Sequence, residues 1–225
     1  MEAFLKQLQQ TTLFSHCPEA VLAEQVLPHR LVREYTKGQF AIEPQQQVDW
    51  FAVVLSGSVQ IMHLFPDGSY SLMSVLREGD LLGADLIGTR SRLSPYHAMA
   101  AENTRILQLP ASLLTEPGIL EEVHRLQALN QLLLYLSNEN MKKEYRLAIL
   151  SQKGLRQRIL TYLTMQAARR RTNTFAIPFS REELAAFLCV NRSALSHELS
   201  LMKQEKLIAF RKNTFTLLHR TQDTE

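Results

Sequence analysis

Cysteine is nearly absent from this chain. Cys17 and Cys189 are the only two in 225 residues, they lie far apart, and neither belongs to a C-x-x-C spacing. Two such thiols argue against a disulfide framework, a structural zinc site and a cysteine-ligated iron–sulfur cluster. Long apolar runs are also missing. No stretch approaches the roughly 18 residues that a membrane-spanning helix needs. The opening MEAFLKQLQQTT lacks the basic segment and long apolar core of a secretory leader. A soluble, cytoplasmic chain with no membrane partner is expected.

Positive charge is scarce over residues 1–150, which carry 12 Lys/Arg against 16 Asp/Glu, whereas residues 151–225 carry 13 against 6. The overall formal charge of +3 therefore conceals a C-terminal part at net +7. Positive charge confined to one part suits a domain that faces phosphates. A membrane-surface domain would show the same imbalance, but the Trp/Phe-studded amphipathic helix it needs is not evident. With 45% hydrophobic residues the chain can pack one or two domains.

Along the chain, residues 1–28 read as helical, broken at Pro18, with a further helix over Ala20 to Val26. From about Leu31 to Pro110 short apolar-alternating runs are separated by turn residues, the texture of a small antiparallel barrel or sandwich. WFAVVL leads through Ser56 and Gly57 into SVQIMHLF, where Val59, Ile61, His63 and Phe65 alternate. Pro66-Asp67-Gly68-Ser69 is a turn signal, and YSLMSVL returns from it as a hairpin. REGDLLGADLIG forms a loop around Gly79 and Gly83, and HAMAAENTRILQLP supplies two closing strands.

At Glu116 and Pro117 the pattern changes to a long helix reaching about Tyr145 or Leu147. Leu126, Leu129, Leu133 and Leu136, spaced 3, 4 and 3, form a coiled-coil seam with Asn140 at the next core position, a polar residue that fixes register and two-strandedness, and Asn138 is the alternative polar member. Homodimerisation through this seam is expected. The alternative is that these leucines pack on the barrel. After SQKG, a helix LRQRILTYLTMQAARRR carries Leu155, Ile159, Leu163 and Met165 and ends in Arg169, Arg170 and Arg171, a triplet that also suits the helix dipole.

SREELAAFLCVNRSALSHELSLMK, residues 180–203, reads as two short capped helices. Ser180 and Glu183 form a capping box, and Leu184, Phe187 and Leu188 give the first helix an apolar side. Asn191 is an N-cap for the second, whose stripe is Leu195, Leu199 and Met202. Ser193, Ser196, His197 and Ser200 occupy another face, free of negative charge. TFAIPF before the pair and LIAFRKNTFTLL after it are β-prone, the latter folding over a polar tip at Arg211, Lys212 and Asn213. An amphipathic pair occurs in many α-rich proteins, but a helix-turn-helix flanked by a basic hairpin is a winged helix.

In this order the chain resembles the CRP/FNR family of bacterial transcription regulators over nearly its whole length, through LSGSVQI and REGDLLG in the barrel, the long helix, and SREELAAFLCVNRSALSHELSLMKQEKLI. The resemblance implies an α+β chain: an N-terminal antiparallel β-barrel (double-stranded β-helix, cyclic-nucleotide-binding-like) with its helices over 1–115, a dimerisation helix over 116–150, and a winged helix-turn-helix over 151–225. It implies a homodimer that reads an inverted-repeat operator in double-stranded DNA and acts with RNA polymerase. On that resemblance Arg192, Ser193, Ser196 and His197 stand where relatives touch bases or phosphates, and Arg181 matches a phosphate-contacting arginine. Asn191, Ser200 and the wing's Lys212 complete the expected DNA-binding set.

Departures limit what carries over. Many relatives have Glu in place of Ser193 and Arg in place of His197, so their operator does not transfer. Cys189 takes a turn position where Gly is usual, at a cost of about 1 kcal/mol if the backbone is left-handed. It is expected to be buried and inert rather than a redox sensor. Cyclic-nucleotide-binding relatives follow the second glycine of GDLLG with Glu and later place an Arg-Ser or Arg-Thr pair. Here Ala84 and Asp85 follow Gly83, and Pro95, Tyr96 and His97 fall where the pair belongs, with Arg90 and Arg92 too early. The candidate effector pocket is therefore Gly83, Ala84, Asp85, Tyr96 and His97, with cAMP, an iron–sulfur cluster and haem all disfavoured. Haem ligation would have only the scattered His16, His63 and His97. Two other readings remain: a ligand-sensing module acting through protein partners, and a cupin-like metalloenzyme, for which the H-x-H pair is lacking and no metal site is found.

Overall fold

The computed structural model describes residues 2–218. Contacts divide the chain into two compact units, Met1–Pro66 with Met73–Met141, and Asp67–Leu72 with Lys142–Glu225. The boundary falls within the long helix, so the segment read as a dimerisation helix over 116–150 contributes to both.

The first unit begins with α1 (Glu2–Gln10) and, after the break at Pro18, α2 (Glu19–Val21), which runs on as a π turn and a 3-10 turn to His29. Eight strands follow, the fifth shared with the second unit through residues 70–72: β1 (Leu31–Tyr35), β2 (Phe40–Ile42), β3 (Trp50–Ser56), β4 (Val59–Leu64), β5 (Tyr70–Leu76), β6 (Leu81–Leu82), β7 (His97–Ala100) and β8 (Thr104–Pro110). They form two antiparallel four-stranded sheets, in the orders β1-β8-β3-β6 and β2-β7-β4-β5. β3 is buried on both faces: Phe51, Val53 and Leu55 join the core beneath the N-terminal helices, while Ala52 and Val54 face the barrel interior. A continuous apolar run at a sheet centre is what two-sided burial requires. The alternation read for β4 ends at Ile61, because Met62 is buried and Phe65 lies exposed beyond the strand. Only glycine fits between β3 and β4, since Gly57 has φ +79° and a Cβ there would lie 2.5 Å from the Asn103 carbonyl oxygen.

After the single-turn helix α3 (Ser112–Thr115), α4 spans Glu122–Leu150. It starts five residues later than the break at Pro117 suggested, because Gly118 turns the chain at φ +92° and the first helical bonds go to the Glu121 carbonyl. The Arg125 guanidinium fixes this start, donating to both Glu122 carboxylate oxygens and to the Leu114 carbonyl. The leucine seam divides. Leu129 and Leu136 pack against the core of the first unit beside buried Ala128 and Leu132, whereas Leu126, Leu133 and Asn140 face outward. Val123, Leu134, Met141, Tyr145 and Leu147 are also exposed on α4.

The second unit contains α5 (Leu155–Arg170), β9 (Thr174–Ala176), α6 (Arg181–Phe187), α7 (Arg192–Gln204), β10 (Ile208–Arg211) and β11 (Thr214–Leu217). Its sheet order is β10-β11-β9, antiparallel throughout. Ile159 and Leu163 of α5, Leu184 and Leu188, the stripe Leu195, Leu199 and Met202, and Phe215 share one core. Among the described residues no helix is long and apolar enough to cross a membrane.

Candidate nucleic-acid interface

Local chemistry sets the angle of the two helices. The Ser180 hydroxyl accepts from the Glu183 amide at 3.2 Å, and the Glu183 carboxylate accepts from the Ser180 amide at 2.7 Å, so the capping box is complete. α6 ends with the Val190 amide on the Ala185 carbonyl and the Cys189 amide on the Ala186 carbonyl, which needs a left-handed residue between. Cys189 is that residue, at φ 57°. The expectation that it is buried is wrong: its side chain is exposed, because a left-handed cap points Cβ out of the turn rather than into the core. Its Sγ lies 3.4 Å from the Ser71 hydroxyl. The buried Arg146, which sequence reading did not single out, donates to Ser71 Oγ at 2.8 Å and to the Phe187 carbonyl at 3.3 Å, and its guanidinium lies over the Phe187 ring.

On α7 the expected face is present. Asn191, Arg192, Ser193, Ser196, His197 and Ser200 are all exposed, opposite the buried Leu195, Leu199 and Met202. Their hydrogen-bonding capacity differs. Asn191 Oδ1 accepts from the Ala194 amide and from the Ser193 hydroxyl, so both residues serve the N-cap. Ser200 donates to the Ser196 carbonyl one turn back. Arg192, Ser196 and His197 make no side-chain hydrogen bond or ion pair among those found in the described residues. These three present donors outward.

Negative charge on α7 is held away from this face. Arg156, the second residue of α5, donates from Nε to Glu198 at 2.6 Å and from Nη1 and Nη2 to the two oxygens of Glu205 at 2.6 and 2.9 Å. Sequence reading did not single out this link, whose partners are 42 and 49 residues apart.

Arg181 is fixed to the wing. Its Nη2 donates to the Lys212 carbonyl at 3.1 Å, and its guanidinium lies 5.0 and 5.4 Å from the Phe210 and Phe215 ring centroids. Burial, then the neighbouring Arg192 charge, lowers its pKa from the usual guanidinium value. Lys212 sits at φ 54° in the two-residue turn between β10 and β11, exposed beside Arg211. Asn213 Nδ2 donates to the carbonyl of Ile177, the residue after β9, at 3.1 Å.

In the barrel, Gly83, Ala84 and Tyr96 are buried rather than open to a ligand. Ile42, Val48, Val54, Leu82, Leu86 and Ile106 are buried together with Tyr96 in one apolar cluster. The Tyr96 hydroxyl donates to Asp85 Oδ1 at 2.8 Å, and burial, then the Asp85 charge, pushes its pKa far up. His97 packs its ring against Phe40, with Nδ1 buried. Arg92 is drawn to the rim by Asp49, 3.0 Å away. A depression of about 370 Å³ lies elsewhere in this unit, lined by Gln7, Gln10, Val53, Val54, Glu78 and Gly79, and it includes none of the five expected pocket residues. No cluster of three or more His, Cys, Asp or Glu side chains that could hold a metal occurs among the described residues.

An antiparallel barrel followed by a three-stranded wing and a capped helix pair with an open polar face defines a helix-turn-helix regulator class. The cyclic nucleotide-binding domain family matches residues 32–116, and the Crp-like helix-turn-helix domain family matches residues 157–222. The chain is 26% identical over 215 residues to the transcriptional activator protein Anr of Pseudomonas protegens, across 87% of this chain and 85% of that protein. It is 26% identical over 188 residues to the transcriptional activator protein FnrL of Cereibacter sphaeroides, across 79% and 72%. Its fold matches FixK2 of Bradyrhizobium japonicum with a TM-score of 0.63 at 19% identity, over 86% of this chain and 94% of that one. The c-di-GMP responsive global regulator CLP of Xanthomonas campestris matches with a TM-score of 0.67 at 17% identity, over 86% and 96%. The chain belongs to the CRP/FNR family of transcription regulators.

Proposed function

We propose that the protein works in the cytoplasm as a homodimer that reads an inverted-repeat operator, with α7 in the major groove. Arg192, Ser196 and His197 contact base edges, Ser193 and Ser200 contribute acceptor lone pairs, and Asn191 sets the helix N-terminus near a phosphate. Arg211 and Lys212 of the wing hold flanking phosphates, while Arg181 fixes the wing to α6. The observation that carries this reading is the outward, unengaged set Arg192, Ser196 and His197 on a helix whose carboxylates are tied to Arg156.

The outward face of α4, with Leu126, Leu133 and Asn140, pairs with its copy and sets the two half-sites about 10 bp apart, centre to centre, or a multiple of that. RNA polymerase is the partner through which the bound dimer acts. We read the barrel as one that does not take a cyclic nucleotide: Ala84 and Asp85 follow Gly83 where relatives have Glu, and Pro95, Tyr96 and His97 stand where their Arg-Ser or Arg-Thr pair belongs. Two thiols do not hold an iron–sulfur cluster, and His16, His63 and His97 do not form a haem site. Whatever effector controls the dimer must favour one of its two states to do so.

Selection of bound fragments from randomised DNA by the full chain tests the proposal. A palindrome that is lost with Arg192→Ala and His197→Ala is expected. No preferred sequence at moderate salt, with or without cell extract, overturns it. Thermal denaturation with and without cAMP is expected to show no shift, and stabilisation by cAMP overturns the barrel assignment.

A further inference from the structure

We infer that Arg156 is a positioning residue for DNA reading, one guanidinium on α5 that fixes α7 by its middle and by its C-terminal cap. Glu198 is the only carboxylate within α7, and Glu205 is its C-cap residue. They are seven residues apart, about 10 Å along a helix. A single planar group meets both, with three N–H donors at 2.6, 2.6 and 2.9 Å, the pair on Glu205 forming a two-pronged fork. Such a fork restricts angle as well as distance, which a lysine ammonium does not do. The Arg156 side chain is 39% exposed and Glu205 46%, so solvent screening leaves little for global stability. What the link restricts is rotation and sliding of α7 on α5. Base edges are discriminated only when a helix is held to within about 0.5 Å of its reading position. The link also keeps two carboxylates from turning toward phosphates.

The inference rests on α7 entering a DNA groove. Dissociation constants are measured for the full chain on two probes: a duplex carrying the inverted repeat recovered by selection, and a scrambled duplex of the same length. Arg156→Ala, Arg156→Lys and the triple variant Arg156→Ala/Glu198→Gln/Glu205→Gln are compared over a salt series, with melting temperature recorded. In Arg156→Ala the preference for the repeat falls on the order of tenfold, as expected for a broken network of contacting residues, with the salt slope unchanged. Any affinity that the freed Glu198 and Glu205 carboxylates cost Arg156→Ala on both duplexes returns in the triple variant, whose preference stays low, because charge is relieved while alignment is not. Arg156→Lys, which retains the charge and guards against misfolding of the alanine form, also leaves it low.

An unchanged preference in Arg156→Ala overturns the inference. So does an equal loss on both probes with a salt slope smaller by about 0.9, which makes Arg156 a phosphate contact. Full recovery with lysine reduces the role to charge alone and also overturns it. A wild-type chain with no preference for any repeat removes the DNA reading itself, and this inference with it. A wild-type preference that Arg156 variants leave intact removes only the inference.

Discussion

Cys17 lies in the core of the first unit, where burial pushes its thiol from 9.0 up to about 11. The folded state therefore favours the protonated thiol. That preference stabilises the fold fully below the unfolded value near 9.0 and is lost as pH rises through about 11. Urea unfolding across this window is expected to show a decline in stability that is shallower in Cys17→Ala. An equal decline in both proteins contradicts it. Cys189 is the opposite case, exposed and left-handed at φ 57°. It is expected to react with Ellman's reagent in the native protein, while Cys17 reacts only after unfolding. Cys189→Val is expected to lower stability by about 1 kcal/mol or more, since a β-branched residue resists this backbone region, whereas Cys189→Gly leaves stability equal or higher. Equal melting temperatures for the two variants count against that account.

At the scale of elements, α4 carries two kinds of leucine that spacing alone did not separate. Leu133→Glu is expected to leave the fold intact and to sediment as a monomer, because Leu133 is 63% exposed in the single chain. Leu129→Ala instead lowers stability, by about 1–3 kcal/mol for a part-buried leucine, and with it the melting temperature, and leaves the dimer in place. Sedimentation and thermal denaturation of both variants check the division, and the reverse pattern contradicts it. The 3-4 spacing showed a helix with an apolar side, but that side is wider than one seam, and contact with the barrel decides which leucines are covered. Helix ends were less legible than helix starts. Ser180 and Asn191 announced two N-termini by their side-chain chemistry. The three C-terminal left-handed caps are Arg171, Cys189 and Lys206, none of them the glycine that would mark such an end.

For the whole molecule, the charge asymmetry has a measurable consequence. Arg211 and Lys212 are exposed at the wing turn, so replacing both with Ala is expected to weaken binding on specific and scrambled duplexes alike. The slope of log affinity against log salt falls by about 2, close to 0.9 for each phosphate released. A sequence-dependent loss with an unchanged slope contradicts their assignment to phosphates.

The sequence by itself determined the antiparallel strands with their Pro66–Ser69 turn, the capped helix pair, the wing and the polar face of α7. Each is written in neighbouring residues, through a spacing of two or of three and four, a cap or a turn. Only the tertiary structure decided that Tyr96 turns its hydroxyl to Asp85, that Arg92 pairs with Asp49, that Cys189 is open, and that Arg156 binds Glu198 of α7 and Glu205 at its C-cap. A side chain's partner across 42 or 49 residues depends on how whole elements pack, and no local periodicity encodes that.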